Sequence, residues 1–215
     1  MNNSNFEKYD RVLMFTARLF AQQSKAEKLK VGAVLAKEGR VLITGYNGTI
    51  SGFSNVCEDR LFICPKCNKP MEDITEKNLR LEPDTFHTGN DISLACPNID
   101  CRSVFKTRAD LTEYFNAHTT MKRIAMFHFP EFVQLKTRDF VLHAEQNVIT
   151  YAAKRGIATD GCTLYITHSP CKECAKLIVQ AGIVRVVYGD LYRDNSGLKF
   201  LQDAGVDVIQ KTYKV

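Results

Sequence analysis

The chain has few of the features that mark membrane-spanning, fibrous or disordered proteins. Its apolar stretches are short and broken by charged residues, whereas a spanning helix needs about 20 consecutive apolar residues. No segment of its 215 residues has the composition typical of collagen-like or low-complexity sequence. The segment 1–10 is polar with charges of both signs and lacks the apolar stretch of a signal peptide. We therefore expect no membrane association and a cytoplasmic location.

The sequence also lacks a stripe of basic residues interleaved with aromatic side chains, the pattern typical of a nucleic-acid-binding surface. Its net charge of +5 is modest and suits an anionic small molecule. With 45% apolar and 25% charged residues, the composition is that of an ordinary globular protein. We expect one domain over residues 1–215, with an insertion described below, and no nucleic-acid partner.

Cysteine is what the sequence has in quantity. A reducing compartment disfavours disulfides, so the eight cysteines indicate metal ligands or free thiols. Cys162 enters a predicted strand and is interpreted as a small buried hydrophobic residue. The cysteines with chemical significance are those that occur in short pairs.

The most informative pattern is His143-Ala144-Glu145 followed by Pro170-Cys171-Lys172-Glu173-Cys174. Three protein ligands, His143, Cys171 and Cys174, leave the fourth tetrahedral position of a zinc ion open for water, which is typical of catalytic sites. Glu145 is placed to move protons as a general acid and base. The alternative is a redox dithiol with an ordinary buried histidine, but it leaves Glu145 and Pro170 unexplained.

The local sequence predicts that two helix starts converge on this metal. Pro170 suits the first turn of a helix, on which Cys171 and Cys174 stand at positions i and i+3. The helix dipole favours their thiolate forms. A second helix is predicted to begin at His143, continue through 145–155 and stop at Gly156.

The remaining periodicity predicts an α/β/α layered fold with a five-stranded sheet. A first helix spans 6–23, with a stripe interpreted as buried at Val12, Leu13, Phe15, Ala17, Leu19 and Phe20. Strands at 31–36 and 41–46 form a hairpin that turns at Glu38-Gly39. Further strands are predicted at 163–167, 184–188 and 206–213, and further helices at 172–181 and 198–204.

The segment 53–140 interrupts this alternation of strands and helices and is interpreted as an insertion. It contains two short cysteine pairs, each with a proline next to its first cysteine: Cys64, Cys67, Cys96 and Cys101. Such pairs are typical of closed, structural Cys-four zinc sites. We expect a zinc-ribbon-like segment over about 60–120.

Other interpretations of the insertion stay open, including one in which its cysteines bind no metal. The spacing of Cys101, Phe105, Leu111 and His118 resembles a two-Cys two-His finger, although Tyr114 stands where its first histidine would be. Cys57, beside Glu58 and Asp59, could contribute to a further metal site. Cys57, His87 and His128 are more simply packed or surface residues.

Five segments together resemble the deoxycytidylate (dCMP) deaminase family, among the zinc-dependent cytidine and deoxycytidylate deaminases. They are 30–34, 44–48, 143–147, 169–175 and 187–192, and the resemblance covers most of 6–52 and 141–210. The order His-x-Glu, then Pro-Cys-x-x-Cys, is the zinc deaminase signature. Relatives acting on tRNA adenosine or in the riboflavin pathway usually carry Glu where this chain has Ser169. The resemblance implies a three-layer fold with a five-stranded mixed sheet.

The resemblance also implies substrate contacts. Asn47 would hydrogen-bond the sugar, with Gly45 and Gly48 allowing close backbone approach, and a plain turn residue is the alternative for Asn47. The pyrimidine edge would be read by the backbone around Ala33, Ala144, Thr167, His168 and Ser169. At His168 an apolar residue is expected instead. Candidate phosphate contacts are Ser24, Lys28 and Lys154.

The implied reaction is hydrolysis of dCMP to dUMP and ammonia, which feeds thymidylate synthesis. The resemblance further implies a hexamer, activation by dCTP with Mg²⁺ and inhibition by dTTP. The alternatives are deamination of deoxycytidine, dCTP or a base in nucleic acid. A binding module with a vestigial deaminase core is a different class, which the intact set of Glu145 and three ligands argues against.

Overall fold

The computed structural model describes residues 4–64, 66–73, 94–95, 98, 100–101, 104–105, 133–193 and 195–213. The chain divides into two compact units, one of residues 1–58 with 137–215 and one of residues 59–136. Within the described ranges, no helix is both long and apolar enough to cross a membrane.

The first unit is built on a five-stranded mixed sheet. Its strands are β1 (Gly32–Lys37), β2 (Arg40–Tyr46), β10 (Thr163–His168), β11 (Arg185–Asp190) and β12 (Asp207–Gln210), in the order β12-β11-β10-β1-β2. β10, β11 and β12 run parallel, whereas β1 is antiparallel to both β10 and β2. The predicted mixed sheet is confirmed.

Four helices cover the two faces of this sheet. They are α1 (Ser4–Ala21), α2 (Ala144–Arg155), α3 (Lys172–Gln180) and α4 (Ser196–Asp203). Alternate residues of β1 point to opposite faces: Leu35 joins the core that includes α2, α3 and α4, and Val34 joins the core that includes α1. The predicted α/β/α layering is therefore confirmed.

The predicted hairpin of β1 and β2 is also confirmed. Lys37 pairs with Arg40 across the turn. Both turn residues adopt the left-handed backbone conformation, Glu38 with φ 52° and Gly39 with φ 76°. Two consecutive positive φ angles are typical of the type I′ turn, whose twist matches that of the flanking strands.

The buried face of α1 differs from the prediction. Val12 and Leu19 are 55% and 62% exposed, whereas Leu13 and Ala17 are buried as predicted, together with Asp10, Met14 and Ala21. Those positions follow the i, i+3, i+4, i+7 pattern of one helical face. The positions of apolar residues alone predicted part of the buried face wrongly, because α1 also buries a charged residue on its core side.

That charged residue, Asp10, ties α1 to the sheet. Its carboxylate accepts hydrogen bonds from Arg185 Nη1 and Nη2 at 2.9 and 2.8 Å and from Tyr165 Oη at 2.9 Å. Asp10 and Arg185 are both buried. Each charge therefore has the oppositely charged partner that a buried charge requires. Burial is the main cause that raises the pKa of the Tyr165 hydroxyl, which stays protonated as a donor.

The remaining strands are short. β3 (Gly48–Thr49) pairs with β9 (Val141–Leu142), and β4 (Glu58–Phe62) pairs with β8 (Val133–Thr137). In the second unit, β5 (Glu72–Asp73), β6 (Leu94–Ala95) and β7 (Val104–Phe105) form a three-stranded antiparallel sheet.

Candidate active site

The three predicted zinc ligands lie together where two helices begin. His143 is the N-cap of α2 and Cys171 is the N-cap of α3, while Cys174 is in the first turn of α3. The ligand atoms of the three residues all lie within 4.8 Å of one another. Both helix dipoles therefore direct their positive ends at this cluster, which favours thiolates.

The separations within the cluster fit a tetrahedral zinc ion. His143 Nδ1 lies 3.6 Å from Cys171 Sγ and 3.4 Å from Cys174 Sγ. Zinc bonded to sulfur at about 2.3 Å and to nitrogen at about 2.0 Å, at a tetrahedral angle, separates those atoms by about 3.5 Å. Two thiolates and an imidazole are a typical zinc donor set, so the residues present fit the metal.

Local hydrogen bonds fix His143 in place. The Gln146 side chain accepts a hydrogen bond from the His143 backbone N–H at 2.8 Å. This is one of the two hydrogen bonds of a capping box. Asn147 Nδ2 donates to Tyr46 O at 2.9 Å and so attaches α2 to the end of β2. α2 ends as predicted at Gly156, which is left-handed at φ 66°.

Hydrogen bonds within the cluster shift the pKa values of the two cysteine thiols in opposite directions. Hydrogen bonds from Cys174 and His143 lower the pKa of the Cys171 thiol to about 3. The hydrogen bond to Cys171, followed by burial, raises the pKa of Cys174. Zinc binds cysteine as the thiolate, so metal binding would release any proton that the two thiols retain.

Glu145 lies in the first turn of α2 and is 4% exposed. Burial raises the pKa of its carboxyl to about 7. A group with that pKa accepts and returns a proton near neutral pH at little cost, which suits general acid and base catalysis.

A cavity of about 490 Å³ opens over the cluster. It is lined by Lys28, Leu29, Val31, Asn47, Glu58, Thr137, Val141, His143, Ala144, Glu145, His168, Ser169, Cys171, Leu191, Tyr192 and Arg193. Its volume is within the usual range for small-molecule sites. The zinc-ligand cluster and the buried carboxylate are therefore accessible from a space that holds a nucleotide-sized ligand.

The cavity includes five of the predicted substrate contacts: Lys28, Asn47, Ala144, His168 and Ser169. Ser169 Oγ accepts a hydrogen bond from Tyr192 N–H at 2.8 Å, so its side chain holds the loop after β11. Burial lowers the pKa of His168, and its Nδ1 lies 3.1 Å from Thr167 Oγ1. His168 is thus a polar residue at the position where an apolar one was expected.

Three of the predicted contacts are buried away from the cavity surface. Ala33 and Thr167 are buried, and Thr167 Oγ1 accepts a hydrogen bond from Gly32 N–H at 3.2 Å. Ser24 is 1% exposed, and its hydroxyl donates to Asn47 O and accepts from Ala26 N–H. The role of Ser24 as a phosphate contact gains no support from these bonds and stays a prediction.

Sequence reasoning missed the contributions of Glu58, Leu191 and Arg193 to the cavity wall. Leu191 and Arg193 directly follow β11, and the carboxyl ends of strands in α/β sheets commonly carry ligand sites. Their position after a predicted strand could therefore have identified Leu191 and Arg193 as candidate site residues. Glu58 carries no comparable signal, because it begins a short strand that the sequence did not predict.

The second unit holds another cysteine cluster. Cys64, Cys67 and Cys101 offer sulfur atoms within 4.8 Å of one another, and Cys64 Sγ lies 3.7 Å from Cys101 Sγ. Two sulfurs bound to one tetrahedral zinc are about 3.8 Å apart. Cys96, predicted as the fourth ligand, lies outside the described residues, as do His87, His118 and His128.

Other cysteines lie apart from both clusters. Cys162 is buried in the main core, in agreement with its interpretation as a small hydrophobic residue. Cys57 is buried and belongs to neither of the metal-compatible groups formed by the described residues. The suggested further metal site at Cys57 therefore gains no support.

Known proteins with similar sequences and folds match most of the chain. Residues 7–190 match the cytidine and deoxycytidylate deaminase zinc-binding region. Deoxycytidylate deaminase of Enterobacteria phage T4 is 31% identical over 194 residues, covering 89% of this chain and 84% of the phage protein. The Saccharomyces cerevisiae enzyme is 28% identical, covering 95% of this chain and 45% of its own length.

A solved structure extends the similarity to the fold. The dCMP deaminase of cyanophage S-TIM5, in complex with dCMP and dUMP, is 30% identical with a TM-score of 0.54, covering 98% of this chain and 99% of that one. The sequence match includes both metal-ligand segments and Glu145. The chain belongs to the family of zinc-binding cytidine and deoxycytidylate deaminases.

Proposed function

We propose that the protein is a zinc-dependent hydrolase that converts dCMP to dUMP and ammonia and so supplies dUMP for thymidylate synthesis. The observation that carries the proposal is the cluster of His143, Cys171 and Cys174 beside buried Glu145, with His143, Cys171 and Glu145 lining one cavity. The phage T4 relative is a deoxycytidylate deaminase, and the cyanophage neighbour binds dCMP and dUMP. These similarities support dCMP as the substrate in preference to other cytosine compounds.

Zinc held by His143, Cys171 and Cys174 would act as a Lewis acid that lowers the pKa of a water molecule from about 15.7 to about 7. Glu145 takes a proton from the attacking water and delivers it to ring nitrogen N3. The water oxygen adds to C4. Glu145 then passes the remaining proton of that oxygen to the amino group, which leaves as ammonia. Water and dCMP are thereby converted to dUMP and ammonia.

The charged residues of the cavity wall support a phosphorylated substrate. Lys28 and Arg193 both line the cavity, and both are donors suited to phosphate oxygens. Lys154, the other lysine considered for this role, lies in the last turn of α2 and is exposed. We assign the 5′-phosphate to Lys28 and Arg193, and the base to the wall formed by Ala144, His168 and Ser169.

A substrate panel tests this function. The purified protein should deaminate dCMP with a kcat/KM at least about tenfold above that for deoxycytidine, since charge-assisted hydrogen bonds contribute about 1.5–3 kcal/mol each. Lys28→Ala and Arg193→Ala should raise KM for dCMP, whereas Lys154→Ala is the matched control. Equal efficiency on deoxycytidine, or preference for single-stranded DNA, would overturn the assignment to dCMP.

A second zinc is part of the proposal. Cys64, Cys67 and Cys101 together with Cys96 would form a closed, structural Cys-four site in the second unit. The 3.7 Å separation of the Cys64 and Cys101 sulfurs supports this, because it matches the spacing about a shared metal. Hydrogen bonds from Cys64 N–H to Lys69 O and from Asn68 N–H to Cys64 O support a tight turn around the first pair.

A hexameric assembly, activation by dCTP with Mg²⁺ and inhibition by dTTP belong to the proposal through the family resemblance. They are checked by the mass of the protein in solution and by rates measured with each nucleotide added.

A further inference from the structure

The cavity wall contains a buried acidic residue that the deamination does not use. Glu58, the first residue of β4, is 7% exposed and lines the cavity. Burying a carboxylate is costly unless hydrogen bonds replace the water it loses. The partners of Glu58 therefore indicate its role.

Both carboxylate oxygens of Glu58 accept hydrogen bonds from consecutive backbone amides. Oε2 accepts from Glu27 N–H at 3.1 Å and Oε1 accepts from Lys28 N–H at 3.4 Å. These amides lie in the connection between α1 and β1, outside both elements. Glu27 and Lys28 are exposed residues, and the buried carboxylate of Glu58 gives their two consecutive amides a fixed acceptor.

The same connection is held at its other end by Asn47. Its Oδ1 accepts from Val31 N–H and its Nδ2 donates to Leu29 O, each at 2.8 Å. The segment from Glu27 to Val31 is thus fixed by two side chains from distant parts of the chain. Lys28, Leu29 and Val31, which this segment carries, all line the cavity.

We propose that Glu58 is a positioning residue for the substrate phosphate, acting through the backbone at Glu27 and Lys28. By fixing that backbone it orients Lys28 toward the cavity. Glu58 has no part at the reacting atoms, so its removal weakens substrate binding while the chemical step, organised by α2 and α3, continues. The inference rests on the proposed function, in which Lys28 contacts the phosphate.

The test is kinetic. Glu58→Ala should raise KM for dCMP about tenfold, the scale expected for lost hydrogen bonds that hold a charged contact, with kcat changed less than about twofold. Glu58→Gln keeps one carbonyl acceptor and should show an intermediate KM. Asp203→Ala, which removes an exposed acid at the end of α4, is the control and should leave KM unchanged.

Coupling to Lys28 distinguishes positioning from general damage. In a Lys28→Ala background, Glu58→Ala should raise KM less than about twofold further, because the residue it positions is gone. Additive effects in the double variant would overturn the proposal. So would an unchanged KM in Glu58→Ala, or equal losses in kcat for dCMP and deoxycytidine.

Hydrogen exchange provides a readout that needs no substrate. Glu58→Ala should speed amide exchange in a peptide covering 25–31 and leave 163–190 unchanged. Unchanged exchange at 25–31 would overturn the proposal even if KM rises. If the wild-type protein does not prefer dCMP, the proposed function fails, while the exchange result still decides whether Glu58 holds this segment.

Discussion

Glu145 combines deep burial with a position two residues after a metal ligand. We predict that Glu145→Gln keeps the fold and the zinc but lowers kcat by about 10²–10⁴-fold, the usual contribution of a general acid and base. Glutamine preserves the shape of the side chain but cannot carry the proton. Steady-state kinetics and zinc content of the same preparation check the prediction.

The control for Glu145 is Glu173→Gln on α3. Glu173 is an exposed acid paired with Lys176 at 2.7 Å, and it is not among the cavity-lining residues. Its substitution should leave kcat within about twofold of the wild-type value. If Glu145→Gln retained near-normal turnover, the proton-transfer role of Glu145 would be wrong.

For single residues, the sequence predicted best those positions that are set by local backbone geometry. The clustering of His143, Cys171 and Cys174 follows from two helix N-caps, whose positions are visible in the sequence. The environments of Ser24 and Glu58 could not be predicted in the same way. Each depends on the path of the connection between α1 and β1, which lacks the periodicity that helices and strands give.

At the scale of secondary-structure elements, α4 packs closely against the segment that carries Cys171. A Cβ added at Gly197, in the first turn of α4, would lie 2.1 Å from Pro170 O and 2.8 Å from Cys171 C. These are backbone atoms that cannot move aside without displacing a ligand. Gly197 therefore allows α4 to pack directly against the segment that carries Cys171.

We predict that Gly197→Ala destabilises the protein by about 1–3 kcal/mol, the usual cost of overpacking, and speeds zinc loss to a chelator. Thermal unfolding and zinc release measure the two effects. Gly48→Ala is the control, because its added Cβ would meet nothing closer than 3.8 Å. Equal behaviour of the two variants would show that contact between α4 and the ligand loop does not matter.

Element prediction was accurate where periodicity and length were strong. The helix predicted at 172–181 is observed at Lys172–Gln180, and the strand predicted at 184–188 at Arg185–Asp190. The two-residue strands β3 and β9 were missed because a pair that short has no measurable alternation. The face of α1 was misplaced because its core side is set by the Asp10 ion pair, which hydrophobicity does not indicate.

On the scale of the whole molecule, the two units differ in how they can be stabilised. The first unit has two apolar clusters, one on each face of the sheet. The described strands that lie wholly in the second unit have only two residues each, and its cysteines lie at metal-ligand distances. The break in periodicity predicted an insertion over 53–140, and the second unit comprises residues 59–136.

A small unit of this kind is expected to draw much of its folding free energy from metal binding. We therefore predict about two zinc ions per chain by elemental analysis, one in each cysteine-containing cluster. The double variant Cys64→Ser, Cys67→Ser should lose one zinc and become sensitive to protease within 59–136. His143→Ala should lose the other zinc without that sensitivity, because its cluster lies in the first unit.

Cys162→Ala is the matched control for zinc content. Cys162 is a free cysteine buried in the main core and belongs to neither cluster, so its removal should leave both zinc ions in place. A wild-type protein with a single zinc would argue against the second site. A double variant that keeps two zinc ions and its protease resistance would do the same, because a Cys-four site cannot hold its metal after two of its ligands have become poorly coordinating hydroxyls.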